Sequence, residues 1–547
     1  MSCFRLPCRG AESMTVAKQM WIFLSYSAVL GYLLVPYCCR AQVPLYIGGF
    51  FPLNDSVGEF GVIGPIARDC LSSAQMAIDH VNRDESVLQG YKLDLVVINT
   101  QNLAGFAFRK FYDMLVDGDK KKVVMLLGNF ADKISEDLAK ATPYWNLIQV
   151  SYGSHSVALS ERKYYPLFFR TIPSSVGFNY PRKKLVLDFN WKKVATIHST
   201  TETFQGATEH MHQILKEDNI TVLASETFTQ DPTGRLKFLK DKDARIIIGN
   251  FYRPQAYLIL CEAYQLEMYG PDYVWMILGY DPLRFDEITE EFEELARCKK
   301  EQIIEAAEGT WTFTWEIMSA VNRTAIGGLT PEQYRHELML RSGQMFSERR
   351  PGPFAYDAIW AMALALNASI EDIKPQNLED FDYEDAGKEM VDIFKEKMDK
   401  TDFFGVSGPV SFYDQGDRKG VLKVQQIRNG TEVLVGRYIA QTDTIEWEMS
   451  AEEIWYRSGG KPPPDEDRTE ERFVIQKISL VLFITMTVLA ALGIVMAIGL
   501  LAFNIYYRNE RLIKMSSPNL NNVIIVGCIL TYVTICLLGI DRNILRQ

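Results

Sequence analysis

From Ile478 to Ile505 the chain runs through almost uninterrupted apolar residues (ISLVLFITMTVLAALGIVMAIGLLAFNI). A helix needs about 20 such residues to cross the hydrocarbon core of a bilayer, so this segment reads as a membrane span. The basic residues Arg508, Arg511 and Lys514 follow, and then a second apolar run from Val523 to Ile540, close to the last residue, Gln547. Positive charge marks the cytoplasmic side of a span, which puts the loop between the two runs inside and the region before Ile478 outside. At the other end, Arg5, Arg9 and Lys18 precede an apolar stretch from Trp21 to Val35, the pattern of a cleaved leader over residues 1–41. Both patterns deliver residues 42–476 to the extracellular side of a plasma membrane.

With 547 residues, 47% hydrophobic and 12% aromatic, the chain is large enough for two or three cored domains. A formal net charge of -11 speaks against nucleic acid as a partner, because phosphate binding needs clustered Lys and Arg. Five Asn-x-Ser/Thr sequons, at Asn54, Asn219, Asn322, Asn367 and Asn429, all fall in the region read as extracellular and are candidate glycosylation sites. Of nine cysteines, Cys3, Cys8, Cys38 and Cys39 leave with the expected leader, and Cys528 and Cys536 lie in the second apolar run. Cys70, Cys261 and Cys298 remain, an odd set that allows one internal bridge at most. No zinc spacing, phosphate-binding loop or nucleophile elbow occurs, so no cofactor, metal or catalytic residue is expected and the chain is not read as an enzyme.

Short apolar runs alternate with amphipathic stretches of helical period. YIGGFFPL, LDLVVIN, KVVMLLG and LIQVS are separated by helical patterns at 71–81, 108–115 and 134–141. A second series has VATIHST, NITVLASETF, ARIIIGNF and YVWMILGY, with helices at 202–215 and 254–268. Such βαβ repetition predicts an α/β fold with parallel sheets in two lobes. Open sheets of this kind bind ligands beyond the carboxyl ends of their strands. The candidate contacts are therefore Asn129 and Phe130, Tyr152 through His155, Phe251 and Tyr252, and Tyr280 and Asp281. From Arg457 to Arg472 a Pro-rich, acidic stretch reads as a semi-rigid linker.

The segments WNLIQVSYGSHSVALS (145–160), YPLFFRTIPS (165–174), DARIIIGNFY (243–252), AAEGT (306–310), AYDAIWAMALALN (355–367), DFFGVSGPVSF (402–412) and SSPNLNNVIIVG (516–527) together resemble the type B GABA receptors of the class C G-protein-coupled receptors. The resemblance implies a bilobed Venus-flytrap ectodomain at 42–455, a linker at 456–476, and the start of a seven-helix domain at 477–547, truncated in its second helix. It also implies a heterodimer with a second receptor subunit, a heterotrimeric G protein as partner of the full-length receptor, and a small amino-acid-like ligand. RLIKMSSPNLNN (511–522) resembles the coupling subunit more, whereas SYGS (151–154) and NFY (250–252) resemble the agonist-binding one. The resemblance pairs Cys261 with Cys298 and leaves Cys70 as a free thiol.

A zwitterionic amino acid needs donors for its carboxylate and a carboxylate or aromatic face for its ammonium. Carried over residue by residue, the ligand positions here are Gly153, Ser154, His155, Tyr252 and Tyr280. The family's hydroxyl after the third strand is replaced in Gly128-Asn129-Phe130, its His by Ile172, and its Glu by Pro351. A degenerate site in a non-agonist-binding subunit is therefore expected. The helix carrying Phe111, Tyr112 and Leu115 is the expected dimer surface. Two other readings are an agonist-binding subunit and a flytrap-bearing membrane guanylate cyclase; the latter predicts a single span.

Overall fold

Val123–Leu127 (VVMLL) is buried at every position, the pattern of a strand covered on both faces. A computed structural model of the chain describes residues 42–53, 63–116, 121–279, 282–348, 350–466 and 480–538. The expected leader, Asn54, Tyr280, Asp281 and the linker beyond Glu466 lie outside the described residues.

Lobe one is built from β1 (Val43–Phe51), α1 (Ile63–Arg83), β2 (Tyr91–Asn99), α2 (Ala104–Val116), β3 (Val123–Leu127), α3 (Asp132–Ala141), β4 (Ile148–Ser151) and β5 (Phe168–Arg170). Its five strands are all parallel, in the order β2-β1-β3-β4-β5. Helix α1 buries Cys70, Ala74, Ala77, Ile78 and Val81, residues three or four apart that share one face.

After residue 171 the chain enters lobe two through α4 (Asn179–Asp188), β6 (Lys193–Ser199), α5 (Glu202–Glu217), β7 (Thr221–Phe228), α6 (Thr233–Asp241), β8 (Ile246–Asn250), α7 (Arg253–Gln265), β9 (Val274–Leu278), α8 (Glu290–Ala296), α9 (Lys300–Ala307) and β10 (Trp311–Trp315). It then returns to lobe one for α10 (Pro331–Ser342), α11 (Gly352–Ser369), α12 (Asp385–Asp399) and the short pair β11 (Phe403–Gly405) and β12 (Gly408–Val410). A third crossing leads back to β13 (Val421–Arg428), β14 (Thr431–Ile439), β15 (Thr444–Trp447) and α13 (Ala451–Ile454). The second sheet has the order β15-β14-β13-β10-β9-β8-β6-β7, parallel from β7 to β10 and antiparallel beyond. Asn429 and Gly430, both at positive φ, form the β13–β14 turn, the favoured Asn-Gly hairpin chemistry. Cys261 on α7 is disulfide-bonded to Cys298. Cys70 is a buried free thiol.

The crossings are knitted by buried charge. Arg170 and Asp417 pair at 2.6 Å, with Arg170 fully buried. The same guanidinium donates to the carbonyls of Ser156 (2.8 Å) and Ser154 (3.2 Å) and to Ser160 Oγ (2.6 Å). Next to them Asp357 accepts from the amides of Val406 and Ser407 and from the Ser407 hydroxyl. Arg418 donates to Ser407 Oγ and to the carbonyls of Thr171, Ser407 and Pro409. Burial pushes the Asp357 carboxyl up, and the Arg418 charge and the Ser407 bonds pull it back.

Residues 456–466, expected to behave as linker, are strapped to lobe two together with Trp455 just before them. Trp191 Nε1 donates to the Pro463 carbonyl (2.8 Å), Lys193 N donates to Asp465 (2.8 Å), and Trp455 packs edge-on against Phe189 and Trp191. Of the sequons, Asn219, Asn322 and Asn429 are exposed, whereas Asn367 is half-buried and accepts from Leu88 N at 2.8 Å.

The chain divides into two compact units, residues 1–467 and 468–547. In the second, α14 (Leu480–Tyr506) and α16 (Pro518–Leu538) flank the short α15 (Arg511–Met515). Both long helices are apolar and long enough to span a bilayer. Asn504 Nδ2 bonds the Pro518 carbonyl (3.0 Å) and Asn522 Oδ1 (2.7 Å), and Gly493 lets the Tyr532 ring approach so closely that an added Cβ would lie 2.8 Å from it.

Asp357 and Arg418 are buried opposite charges bridged by the Ser407 hydroxyl, so removing one leaves the other without its compensating charge. Arg418→Ala is expected to lower unfolding stability by about 3–5 kcal/mol in urea titrations followed by tryptophan fluorescence. Stability equal to that of the parent chain would mean that the junction carries no such charge network.

Candidate functional site

The loops after β3 and β4 meet at the carboxyl end of the first sheet, where an open α/β sheet places its ligands. Ser151, the last residue of β4, organises them. Its hydroxyl donates to the Asn129 carbonyl (2.7 Å) and accepts from the amides of Ser154 (3.0 Å) and Gly153 (3.3 Å). The Gly153 N–H expected to hold a ligand carboxylate is thus already bonded within the loop. Ser154 is fully buried, bonded to Ser135 Oγ at 2.6 Å and to the Asn129 carbonyl at 3.2 Å. Tyr152 is fully buried too and donates to the Phe50 carbonyl. A Cβ added at Gly153 would lie 2.7 Å from the Phe130 ring and 2.8 Å from its Cα, so only glycine lets Phe130 settle over this loop.

His155 is tied on three sides. Asp132, the first residue of α3, accepts from the amides of His155 (2.7 Å) and Ser156 (3.0 Å), an acid placed where a helix N-terminus favours it. The imidazole Nδ1 lies 3.0 Å from Ser175 Oγ, and its ring packs 5.4 Å from Trp315, which comes from the end of β10 in lobe two. Trp315 in turn packs on Phe178 at 5.1 Å. Burial lowers the His155 pKa below 6.5; Asp132 raises it and Arg170 lowers it.

Ile172 is buried in the core of lobe one. Pro351 sits at the start of α11, next to Arg350, which pairs with the buried Asp69 at 2.8 Å. On lobe two, Tyr252 precedes α7, is 40% exposed and meets Phe204 edge-on at 4.7 Å. Phe251 turns into the core, and Asn250 bridges Arg182 and Thr208. Gly153, Ser154 and His155 are therefore together but internally bonded, while Tyr252 faces solvent. Asp132, Ser135, Ser151, Ser175 and Trp315 were not singled out from sequence; an acid opening a helix right after a strand loop is the one cue that pointed to Asp132.

The expected dimer helix needs a correction. Phe111 is fully buried, edge-on to Trp145 at 5.6 Å, because it lies on the face of α2 that packs on the sheet. It cannot contact a partner, and Leu115 is only partly exposed. Tyr112 is 53% exposed and is joined by Phe108, Val116 and Leu103, with Val97 on the edge strand β2. Among the described residues no group of three or more His, Cys, Asp or Glu is placed to hold a metal ion.

Residues 69–429 match the family described as "Receptor family ligand binding region", and residues 476–546 match "7 transmembrane sweet-taste receptor of 3 GCPR". The second match sets aside a single-span cyclase. Over 519 residues the chain is 34% identical to gamma-aminobutyric acid type B receptor subunit 1 of Mus musculus, covering 92% of this chain and 52% of that protein. It is also 34% identical over 506 residues to subunit 2 of Homo sapiens, with the same coverages. Against subunit 1 of Caenorhabditis elegans it is 32% identical over 530 residues, covering 95% of this chain and 57% of that protein. The chain spans about half the length of the curated relatives it matches.

Because the folded pKa of His155 lies below 6.5, the unfolded chain takes up protons first as pH falls, and stability decreases with acidification. The melting temperature is expected to drop between about pH 7.5 and about pH 5.5. In His155→Gln the drop should be smaller, with a residue left from His80, His198, His210 and His212, which burial also lowers. Equal slopes in the two proteins would show that His155 is not held neutral.

Proposed function

The chain belongs to the class C G-protein-coupled receptors, in the type B gamma-aminobutyric acid receptor family, and we propose that it acts there as the subunit that does not bind the amino acid. It is a membrane receptor component with an extracellular flytrap and not an enzyme. The chain is 34% identical to subunit 1 of Mus musculus and to subunit 2 of Homo sapiens alike, so the reading rests on the residues at the crevice. The observation that carries it is the closed loop at Gly153: the amide is bonded to the Ser151 hydroxyl, and Phe130 packs against Gly153. Ile172 and Pro351 supply neither imidazole nor carboxylate, and charge-assisted bonds of that kind are worth roughly 1.5–3 kcal/mol each. Tyr252 offers an aromatic surface for a different, more apolar ligand, and the sequence keeps a second aromatic residue at Tyr280.

In this reading, residues 1–41 are a leader, 42–455 the flytrap, 456–476 the connection and 477–547 the opening of the seven-helix domain. The partner is a second, agonist-binding subunit of the receptor. Contact runs through lobe one, over the face of α2 that carries Tyr112, Phe108 and Val116. A heterotrimeric G protein is the partner of the complete seven-helix domain.

Calorimetric titration of the purified chain with GABA should give no saturable heat. Saturable binding in the micromolar range, lost in Tyr252→Ala, would identify an agonist-binding subunit instead. Tyr112→Asp, on an exposed position, should reduce co-purification with an agonist-binding subunit while leaving expression unchanged. Undiminished recovery of the complex would place the interface elsewhere.

A further inference from the structure

On lobe two, α6, α7 and α8, with the loop before α6, enclose an open groove of about 810 Å³ beside the Cys261–Cys298 disulfide. That volume lies within the roughly 300–1,000 Å³ range of small-molecule sites. Its apolar surface comes from Leu258 on α7 and from Phe292 and Leu295 on α8. Leu295 is 77% exposed, an apolar side chain left uncovered at the rim.

Glu262, one helical turn along α7 from Leu258, lines the same groove and is only 9% exposed. Among the described residues no Lys, Arg or His pairs with it; its one side-chain bond comes from Thr233 Oγ1, at 3.1 Å. A carboxylate has about four acceptor sites, and a buried charge without a counter-charge is costly. Asp231 adds a second acidic group at the groove edge, its carboxyl held below the usual range by hydrogen bonds from Thr233. The groove has a mixed lining that also includes Arg297, and on it Glu262 stands beside the apolar side chains Leu258, Phe292 and Leu295; a carboxylate next to apolar surface complements a cation carried on an apolar body.

We propose that this groove is a second ligand site, which binds a small organic ammonium compound with its ammonium on Glu262 and its apolar body against Leu258, Phe292 and Leu295. Gly153, Ser154 and His155 are not on its lining.

The test is titration of the full chain in lipid nanodiscs with phenethylamine, a primary ammonium on an aromatic body, corrected with empty nanodiscs. Saturable binding is expected, about tenfold or more weaker for the neutral analogue 2-phenylethanol and for Glu262→Gln. The anionic phenylacetate should not bind. Leu295→Ser, at an exposed position that folding does not depend on, should also weaken phenethylamine. This keeps the test decisive if Glu262→Gln fails to fold. Absence of saturable phenethylamine binding, or equal binding by the parent, Glu262→Gln and Leu295→Ser, would overturn the proposal.

Discussion

The interlobe junction rests on Arg170. It is a fully buried guanidinium that pairs through Nε with Asp417 on the third crossing and through Nη1 holds the Ser154 and Ser156 carbonyls on either side of His155. One side chain thus joins the register of the crossings to the shape of the crevice loop. The neighbouring Asp357 and Arg418 extend the network to β12 and α11. A buried ion pair of this kind gives little net stability over an apolar substitute, but Arg170 to Asp417 and Arg418 to the Thr171 carbonyl tie distant stretches of chain together, and satisfied bonds of this kind favour a single arrangement.

The crevice follows from this. With the 152–156 backbone held from behind by Arg170 and from the side by Asp132, the free amides turn inward to the Ser151 hydroxyl. Phe130 then packs over Gly153, and Trp315 reaches across from lobe two to His155. The Gly153 and Ser154 amides are already bonded within the protein. A ligand carboxylate would have to break those bonds before gaining its own, and it would have to move the Phe130 ring.

Much of the fold was readable from the chain. Runs such as VVMLL and RIIIGN are short, apolar and β-branched, and they are strands buried on both faces. Helix α6 escaped notice because TGRLKFLKD buries only Leu236 and Leu239. Helix α11 escaped because it is buried on nearly every side and has no polar face to set a period. Phe111 and Tyr112 are adjacent, so about 100° of helix turn puts one in the core and the other in water, a choice that only packing makes. At the site, strand ends located the loops that meet at the carboxyl end of the first sheet. The contact from Trp315 to His155 joins positions far apart in sequence and arises only from the second crossing. The Ser151 bonds likewise depend on how two loops meet.

The central claim is that the crevice loops are internally satisfied and do not engage an amino acid. Hydrogen-exchange mass spectrometry over residues 126–160 and 246–256, with and without saturating GABA, tests it most directly. Unchanged exchange in both segments, with slow exchange at the Gly153 and Ser154 amides throughout, is the predicted result. Protection appearing in both segments on addition of GABA would contradict the account.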